Sequence, residues 1–303
     1  MMAEDIFKIR SISQFHELVG LEKPKHPLIS IIDVSKVKLD NKWLGKRFSS
    51  SLYTIALKDA SCAFEYGRNH YDFNEGVMIF TGPDQVMKSN QEQPVTPING
   101  WMIYFHPDLI RNTSLGAYIE NYSFFSYDVH EALHLSDEEQ TLVTDIMKMI
   151  RQEVKERIDN HSQRVIVSSL ELLLNLCTRF YERQFNTRTA KNKDIVSQME
   201  SLLKDYYQSG KLAEIGQPSI QYCADELHLS PNYLSDLLKK ETGRSAKDHI
   251  NDFVVDKAKT LLLGSTDSIG EIAYSLGYNY PHYFSRFFKS KTGFTPQEYR
   301  IQN

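Results

Sequence analysis

The sequence has few cysteines, no long apolar run and no excess of positive charge. Its three cysteines, Cys62, Cys177 and Cys223, lie far apart, which argues against a disulfide framework or a zinc site. No run of about eighteen apolar residues occurs, so no membrane span is expected. The first residues, Met1-Met-Ala-Glu-Asp-Ile, are acidic and lack an apolar signal core. We therefore expect a cytoplasmic protein.

The charge balance argues against a protein that coats nucleic acid without specificity. The net charge is −4, and from Pro218 to the end there are ten basic and ten acidic residues. Four basic residues nevertheless share the interval 286–300 with Glu298 as its only acid: Arg286, Lys289, Lys291 and Arg300. Any DNA binding must depend on where such residues are placed.

A thirteen-residue pattern occurs twice in the chain, fifty residues apart. The first copy reads Pro231-Asn-Tyr-Leu-Ser-Asp-Leu-Leu-Lys-Lys-Glu-Thr-Gly243. The second reads Pro281-His-Tyr-Phe-Ser-Arg-Phe-Phe-Lys-Ser-Lys-Thr-Gly293. A unit repeated at a fixed spacing indicates two equivalent modules that face a repeating partner, and double-stranded DNA is such a partner.

Each copy carries the signals of a helix that follows a shorter helix. Ser230 is a good N-cap, and Pro231 and Pro281 suit the first helical position. Gly243 and Gly293 can adopt the left-handed conformation that ends a helix. Shorter helices are predicted over 220–227 and 269–276, the second opened by a capping box from Ser268 to Glu271. A short helix, a tight turn and a second helix form a helix-turn-helix unit.

The two copies separate packing positions from candidate contact positions. Positions that stay apolar or aromatic are predicted to pack: Tyr233, Leu234, Leu237 and Leu238, and their equivalents Tyr283, Phe284, Phe287 and Phe288. Asn232 and Asp236 become His282 and Arg286, which lie four apart on one face near the helix start.

That N-terminal face of a recognition helix enters the major groove. Arg286 can bond guanine, Asn232 or His282 can bond base edges, and Asp236 can accept from a cytosine amino group. Ser235 and Ser285 are small enough for close approach. The alternative for each position is solvated polar surface.

The segment 246–263 is predicted to be a helix that joins the two units. Its apolar stripe consists of Ile250, Phe253, Val254, Ala258, Leu261 and Leu262. Eighteen helical residues span about 27 Å, which with the flanking turns can hold two recognition helices about one DNA turn, 34 Å, apart.

These segments together resemble the DNA-binding domain of AraC/XylS-type transcription regulators. The resemblance is carried by the residues 229–235, 240–243, 257–262, 269–273, 276–278, 283–289 and 292–300. It implies two helix-turn-helix units joined by a linker helix.

The resemblance also implies base contacts at Asn232, Ser235, Asp236, Pro281, His282, Ser285 and Arg286. Lys239 and Lys289 complete the predicted DNA-binding set. A basic or amide residue is common in the family where Asp236 stands, so the second unit is expected to supply more of the specificity.

The N-terminal half is predicted to be a small β-barrel or sandwich followed by a helical hairpin. Short β-branched and aromatic segments punctuated by Gly and Pro occur at 28–34, 51–57, 77–80 and 101–105. A capping box at Ser136 starts one helix, and a second starts near Ser162. The family resemblance implies a cupin-like domain. The hairpin at about 136–185 either closes one core or forms a subunit interface.

The expected architecture is an α+β chain of two domains. The domains span residues 1–185 and 194–303, with a polar linker at 186–193. A metal-dependent cupin enzyme is the distant alternative. His70 and Glu75 are near each other, but no His-x-His pair accompanies them. We therefore predict no enzyme, no metal and no cofactor.

The remaining role for the N-terminal domain is to bind a small molecule or to hold two copies together. Five aromatic side chains are candidates to line an effector pocket: Tyr53, Phe64, Tyr66, Trp101 and Tyr104. Alternatively they are core residues, and the domain only dimerises. We predict a sequence-specific transcription regulator, a homodimer through 136–185, that binds double-stranded DNA and responds to a small effector. A partnership with RNA polymerase is left open.

Overall fold

A computed structural model describes residues 6–37, 46–59, 76–88, 99–156, 159 and 161–302. The chain divides into two compact units, Met1–Arg188 and Thr189–Asn303. Sheets and helices make up the N-terminal unit and helices make up the C-terminal unit, so the predicted mixed α and β composition is confirmed. Among the described residues, no helix is both long enough and apolar enough to cross a membrane.

The described strands of the N-terminal unit pair into two sheets. They are β1 (Phe7–Ile9), β2 (Ile29–Asp33), β3 (Arg47–Ser50), β4 (Tyr53–Asp59), β5 (Gly76–Thr81), β6 (Val86–Lys88), β7 (Gly100–Phe105) and β8 (Leu133–Leu135). The larger sheet has the order β2-β7-β4-β5-β8 and is antiparallel throughout. The smaller sheet has the order β1-β3-β6, and its β1–β3 pair is parallel. The predicted strand segments correspond to β2, β4, β5 and β7.

Five helices accompany these strands within the described residues. They are α1 (Ile12–Leu18), α2 (Pro107–Ile110), α3 (Ser114–Tyr118), α4 (Asp137–Lys155) and α5 (Ser162–Thr187). The predicted capping box opens α4, since Ser136 Oγ accepts from the Glu139 N–H and the Glu139 carboxylate accepts from the Ser136 N–H. Arg183 of α5 donates to the same carboxylate from Nε and Nη2, both at 2.9 Å. This half-buried ion pair ties α4 to α5.

The two faces of the larger sheet pack against different elements. Successive residues of a strand point to opposite faces. Trp101 of β7 therefore faces α4, where its indole N–H donates to Thr144 Oγ1 at 3.4 Å. Tyr104 points to the other face, where its ring centroid lies 4.1 Å from that of Phe15 in α1. Both side chains are buried in packed cores.

The segment predicted as a polar linker, 186–193, is helical on both sides of Arg188. Helix α5 continues to Thr187, and α6 (Thr189–Gln208) begins after a single residue. The segment contains neither Gly nor Pro, so nothing in its backbone chemistry opposes a helix. Arg188 and Asn192 are buried, so the polar composition of this segment indicated neither irregular structure nor general exposure.

The C-terminal unit consists of helices α6 to α13. After α6 follow α7 (Lys211–Ile215), α8 (Ile220–Glu226), α9 (Pro231–Thr242), α10 (Ala246–Gly264), α11 (Ile269–Ser275), α12 (Pro281–Thr292) and α13 (Pro296–Gln302). The predicted stripe of α10 is buried at Ile250, Val254, Ala258 and Leu262, and half-buried at Phe253 and Leu261. Val255 is buried in addition. Helix α10 therefore belongs to the core between the two helix pairs α8/α9 and α11/α12.

Two cysteines lie in the described residues, and both are buried and reduced. Burial raises the pKa of the Cys177 thiol well above its ordinary range and raises that of Cys223 to about 11. Both thiols are thus held in the unreactive neutral form at neutral pH. Cys62 lies outside the described residues.

Candidate nucleic-acid interface

The first helix pair, α8 and α9, begins and ends where its sequence signals predict. Ser230 Oγ accepts a hydrogen bond from the Tyr233 N–H at 3.3 Å, and Pro231 occupies the first turn of α9. Gly243 ends the helix with φ 76. Ser219 caps α8 in the same way, accepting from the Tyr222 N–H at 3.0 Å.

The second pair, α11 and α12, uses the same plan with a different cap. The predicted capping box is present: the Glu271 carboxylate accepts from the Ser268 N–H at 2.7 Å, and Ser268 Oγ accepts from the Glu271 N–H at 3.2 Å. Tyr280 occupies the N-cap position of α12 and makes no side-chain capping bond there. Gly293 ends α12 with φ 83. Both recognition-helix candidates therefore begin with a proline in the first turn and end at a left-handed glycine, but only α9 has a side-chain N-cap bond.

The turns between the helices of each pair differ in length and in packing. Residues 227–230 connect α8 to α9, whereas 276–280 connect α11 to α12, one residue more. In each turn the second residue has a positive φ, 55 at His228 and 78 at Gly277. A Cβ added at Gly277 would overlap the carbonyl oxygen of Leu212 in α7 and would lie 2.8 Å from Cα of Gly216. The backbone of the second turn therefore lies in close contact with the backbone of residues 212–216, at and just after α7.

Further contacts fix this second turn to the segment after α7. The Gln217 side-chain amide donates to the Tyr278 hydroxyl at 2.7 Å. Burial raises the pKa of Tyr278 to about 12, and the bond from Gln217 partly opposes this rise. The Tyr278 ring in turn contacts Phe284 and Phe287 of α12. The start of α12 is held by a side-chain network as well as by the backbone.

Most predicted packing positions of the two recognition-helix candidates are buried, but Tyr283 is not. Tyr233 is 4% exposed, whereas its equivalent Tyr283 is 53% exposed. The prediction that Tyr283 packs in the core was wrong. Helix α9 has α6 packed beside it as well as α8 and α10, while the extensive contacts of α12 are with α11 and α13. The ring of Tyr283 instead lies against His282, with centroids 4.2 Å apart, and near the exposed Tyr280.

The predicted DNA-contact residues lie on the accessible side of α9 and α12. Exposed members are Asn232, Lys239, His282, Arg286 and Lys289, and half-buried members are Ser235, Asp236, Pro281 and Ser285. Within the described residues Arg286 forms no ion pair, so its guanidinium is available to a ligand. The Ser285 hydroxyl donates to the Pro281 carbonyl at 3.0 Å, which leaves its oxygen as an acceptor. The structure therefore brings His282, Tyr283 and Arg286 together at the start of α12.

The predicted effector residues are separated by the fold. Trp101 and Tyr104 lie in cores on opposite faces of the larger sheet, and Phe64 and Tyr66 lie outside the described residues. Tyr53 is half-buried, stacks on Phe105 with centroids 4.9 Å apart, and lines a cleft of about 380 Å³. A single pocket lined by all five side chains is therefore contradicted at Trp101 and Tyr104, and the part of the prediction that concerns Phe64 and Tyr66 stays a prediction.

The structure brings together one group of possible metal ligands that the sequence did not predict. Ligand atoms of Asp128, His130 and Glu131 lie within 4.8 Å of one another. The Glu131 carboxylate already accepts from the Asp128 N–H at 2.7 Å as part of a capping box. The group is therefore explained by local turn geometry. His70 and Glu75, the residues weighed for a metal enzyme, lie outside the described residues.

Comparisons with known proteins agree with the geometry of the C-terminal unit. Residues 223–302 match the family model of a helix-turn-helix domain. The uncharacterized HTH-type transcriptional regulator YijO of Escherichia coli is 28% identical over 144 residues, 48% of this chain and 47% of that protein. The transcriptional activator RhaS of Escherichia fergusonii is 24% identical over 272 residues, 84% of this chain and 94% of that protein.

Among solved structures, the C-terminal domain of the response regulator AraT from Geobacillus stearothermophilus is 31% identical, with a TM-score of 0.32. It covers 36% of this chain and 85% of that one. The matched region spans 47% of the length of YijO and 28% of that of the transcriptional regulatory protein YesN of Bacillus subtilis, which is 34% identical over 111 residues. The C-terminal unit is a helix-turn-helix domain of the AraC/XylS type.

Proposed function

We propose that this chain is a sequence-specific DNA-binding transcription regulator and not an enzyme. The observation that carries the proposal is the exposed set His282, Tyr283 and Arg286 at the start of α12, within a domain of helix-turn-helix type. Side chains at this end of a recognition helix reach base edges in the major groove. The relatives are named as transcriptional regulators, which favours this function over a metal-dependent one.

The two helix pairs act as two helix-turn-helix units that read adjacent segments of one DNA face. Helix α10, which lies between them in the chain, has 19 residues. At 1.5 Å per residue it is about 28 Å long, close to the 34 Å of one DNA turn once the flanking turns are added. DNase footprinting on the promoter next to the chain's own gene tests the function. Protection of two adjacent half-sites is expected, and uniform weak protection at every sequence would contradict specificity.

Tyr283 is a further contact to DNA in this proposal, although its sequence pattern predicted a core residue. Tyr283→Ala is expected to weaken specific binding by about 1 kcal/mol because the ring can contact a base or sugar. Stability of the C-terminal unit should change by less than about 0.5 kcal/mol because the side chain is already half exposed. Gel-shift titration and hydrogen exchange measure the two effects.

The equivalent Tyr233 supplies the matched control for Tyr283. Tyr233→Ala removes a buried ring and should destabilise the unit by about 3–5 kcal/mol. If Tyr283→Ala destabilised the unit as much as Tyr233→Ala, the exposed position of Tyr283 would be refuted.

The N-terminal unit acts in this proposal as a cupin-like sensor and dimerisation domain. Support comes from its two sheets and from the helical hairpin of α4 and α5. The domain limits are 1–185 and 194–303, with 186–193 as the connection. We place the protein in the cytoplasm, and a small-molecule effector biases its DNA binding. A domain that only dimerises is the alternative, and RNA polymerase contact stays open.

The homodimer forms through the hairpin in this proposal. Four large apolar side chains of the hairpin are exposed, Leu142 and Met149 in α4 and Val165 and Leu172 in α5. Each pair is spaced by seven residues, so it lies on one face of its helix. Two such faces can be covered by a second copy of the chain.

Leu172→Glu is expected to weaken self-association by about tenfold or more, since it would place an unpaired carboxylate in the contact. Sedimentation equilibrium measures the change. Tyr118→Glu is the control, because Tyr118 is 61% exposed but lies outside the hairpin. Equal self-association of the two variants would place the interface elsewhere.

A further inference from the structure

The cleft beside Tyr53 combines an apolar floor with hydrogen-bond donors at its rim. It has a volume of about 380 Å³ and is formed by β4 together with the segment of α2 and α3. Ile110 and Ile119 provide apolar floor, and Ala117 is an exposed wall. This volume lies near the lower end of the range of sites that bind small organic molecules, about 300–1,000 Å³.

Three side chains supply the donors. Asn112 lines the cleft and holds the left-handed conformation, with φ 63. Arg111 forms an ion pair with Asp108 through Nη2 at 2.6 Å, which leaves other guanidinium N–H groups to donate. Burial, and next the charge of Glu120, raise the pKa of the Tyr53 hydroxyl, so it stays protonated and can donate at neutral pH.

The charges around the cleft select against a charged ligand. Arg111 is balanced by Asp108, and the carboxylate of Glu120 is close enough to act on Tyr53. An anionic ligand would meet these two carboxylates, and a cationic ligand would meet the Arg111 guanidinium. An uncharged molecule with an apolar body and a carbonyl or hydroxyl oxygen fits the floor and the donors.

The segment 107–122, which supplies most of the lining of the cleft, is hydrogen-bonded to α5 at three places outside the lining itself. The Gln163 amide donates to the Leu109 carbonyl at 2.7 Å, and the Ser114 hydroxyl donates to the Glu171 carboxylate at 3.1 Å. The Tyr122 hydroxyl donates to the Asn175 side chain at 2.9 Å. Glu171 and Asn175 are neighbours on the surface of α5, and the exposed Leu172 lies three residues before Asn175 and is its neighbour as well. A molecule that binds in the cleft and restricts the motion of this segment would therefore also stabilise α5, the helix that carries part of the proposed dimer face.

We propose that this cleft, outside the sheet and against α5, is the effector site and that it takes a small uncharged molecule bearing an oxygen acceptor. Its regulatory role rests on the proposed function, but binding of the molecule does not. Tyr53 and Ile119 contact the apolar body, and Asn112 and Arg111 donate to the oxygen.

A fluorine NMR titration of the full chain with 4′-fluoroacetophenone tests the site. This probe is uncharged and carries one carbonyl acceptor on an apolar ring. Ala117→Phe fills the cleft from an exposed position and should weaken binding by about tenfold or more. Asn112→Gly removes the amide without straining a positive φ, and should weaken binding by about threefold. Tyr118→Ala, next to the cleft but not lining it, should bind as the unchanged chain does.

Two further measurements sharpen the test. The analogue 1-ethyl-4-fluorobenzene lacks the carbonyl and should bind more weakly than the ketone. Hydrogen exchange over 163–175 should slow when the ketone binds. Absence of binding, or equal affinity in Ala117→Phe and the unchanged chain, overturns the site. Because the titration contains no DNA, that failure leaves the DNA-binding proposal standing, and a missing footprint leaves the titration result intact.

Discussion

Replacing Gly277 with alanine is expected to destabilise the C-terminal unit by about 3–5 kcal/mol. Two costs add at this position. Gly277 has φ 78, where an L-residue with a Cβ is strained by about 1–2 kcal/mol. The new Cβ would also overlap the Leu212 carbonyl oxygen and crowd Gly216, and both neighbours are backbone. Neither can move without displacing α7 or breaking the bond from Gln217 to Tyr278.

Gly293→Ala separates the two costs, because Gly293 has φ 83 and nothing lies within 4 Å of an added Cβ. This control should lose only about 1–2 kcal/mol from the backbone conformation. Hydrogen exchange of peptides from 269–302 in the full chain measures local stability in both variants. An equal loss for the two variants would show that the close approach of the second turn to α7 does not exist.

The equivalent turn position in the first pair shows that the requirement for glycine at position 277 comes from the neighbours of that turn. His228 adopts φ 55 with a full side chain, so the first turn tolerates a Cβ where the second does not. The duplicated sequence predicts two similar backbones, but the neighbours of each copy decide which side chains fit.

Local signals in the sequence predicted the helical part of the fold well. Ser230, Ser268 and Ser136 cap the helices that their spacing indicates, because a capping bond joins residues only a few positions apart. Gly243 and Gly293 end their helices for the same local reason. Information of this kind is carried entirely by neighbouring residues.

Burial of Tyr283 could not be predicted in this way. Its pattern matches that of Tyr233, yet the exposed fraction of the two rings differs more than tenfold. The two helices differ in their neighbours: α6, which is distant in the sequence, packs against α9 but has no comparably extensive contact with α12. A repeat shows which positions are equivalent along the helix, but it does not show which elements cover them.

The grouping of Trp101 with Tyr104 as effector contacts illustrates the opposite case. The two residues are three apart in β7, and strand alternation places such residues on opposite faces. Strand alternation alone therefore predicts that Trp101 and Tyr104 cannot both line one pocket on a single face of the sheet. The cleft at Asn112, by contrast, depends on how α2 and α3 fold back beside β4, which no local pattern revealed.

Arg286→Ala is expected to weaken specific DNA binding by about 1–3 kcal/mol and to relax the preference at one base pair. The guanidinium is exposed, makes no ion pair with the described residues, and lies one helical turn after His282. An arginine in this position can donate two parallel bonds to guanine, and alanine can donate none. Gel-shift titration at fixed salt, with cognate and scrambled sites, measures both affinity and specificity.

Arg164→Ala is the matched control for Arg286. It removes the same charge from an exposed arginine in α5 of the N-terminal unit, so any loss of affinity that comes only from the lower net charge appears in both variants. A greater loss for Arg286→Ala at the cognate site alone indicates base readout. An equal loss at cognate and scrambled sites would reduce Arg286 to a phosphate contact. If neither site were affected, α12 would not be the helix that enters the groove, and Asn232 and Asp236 on α9 would become the first positions to test.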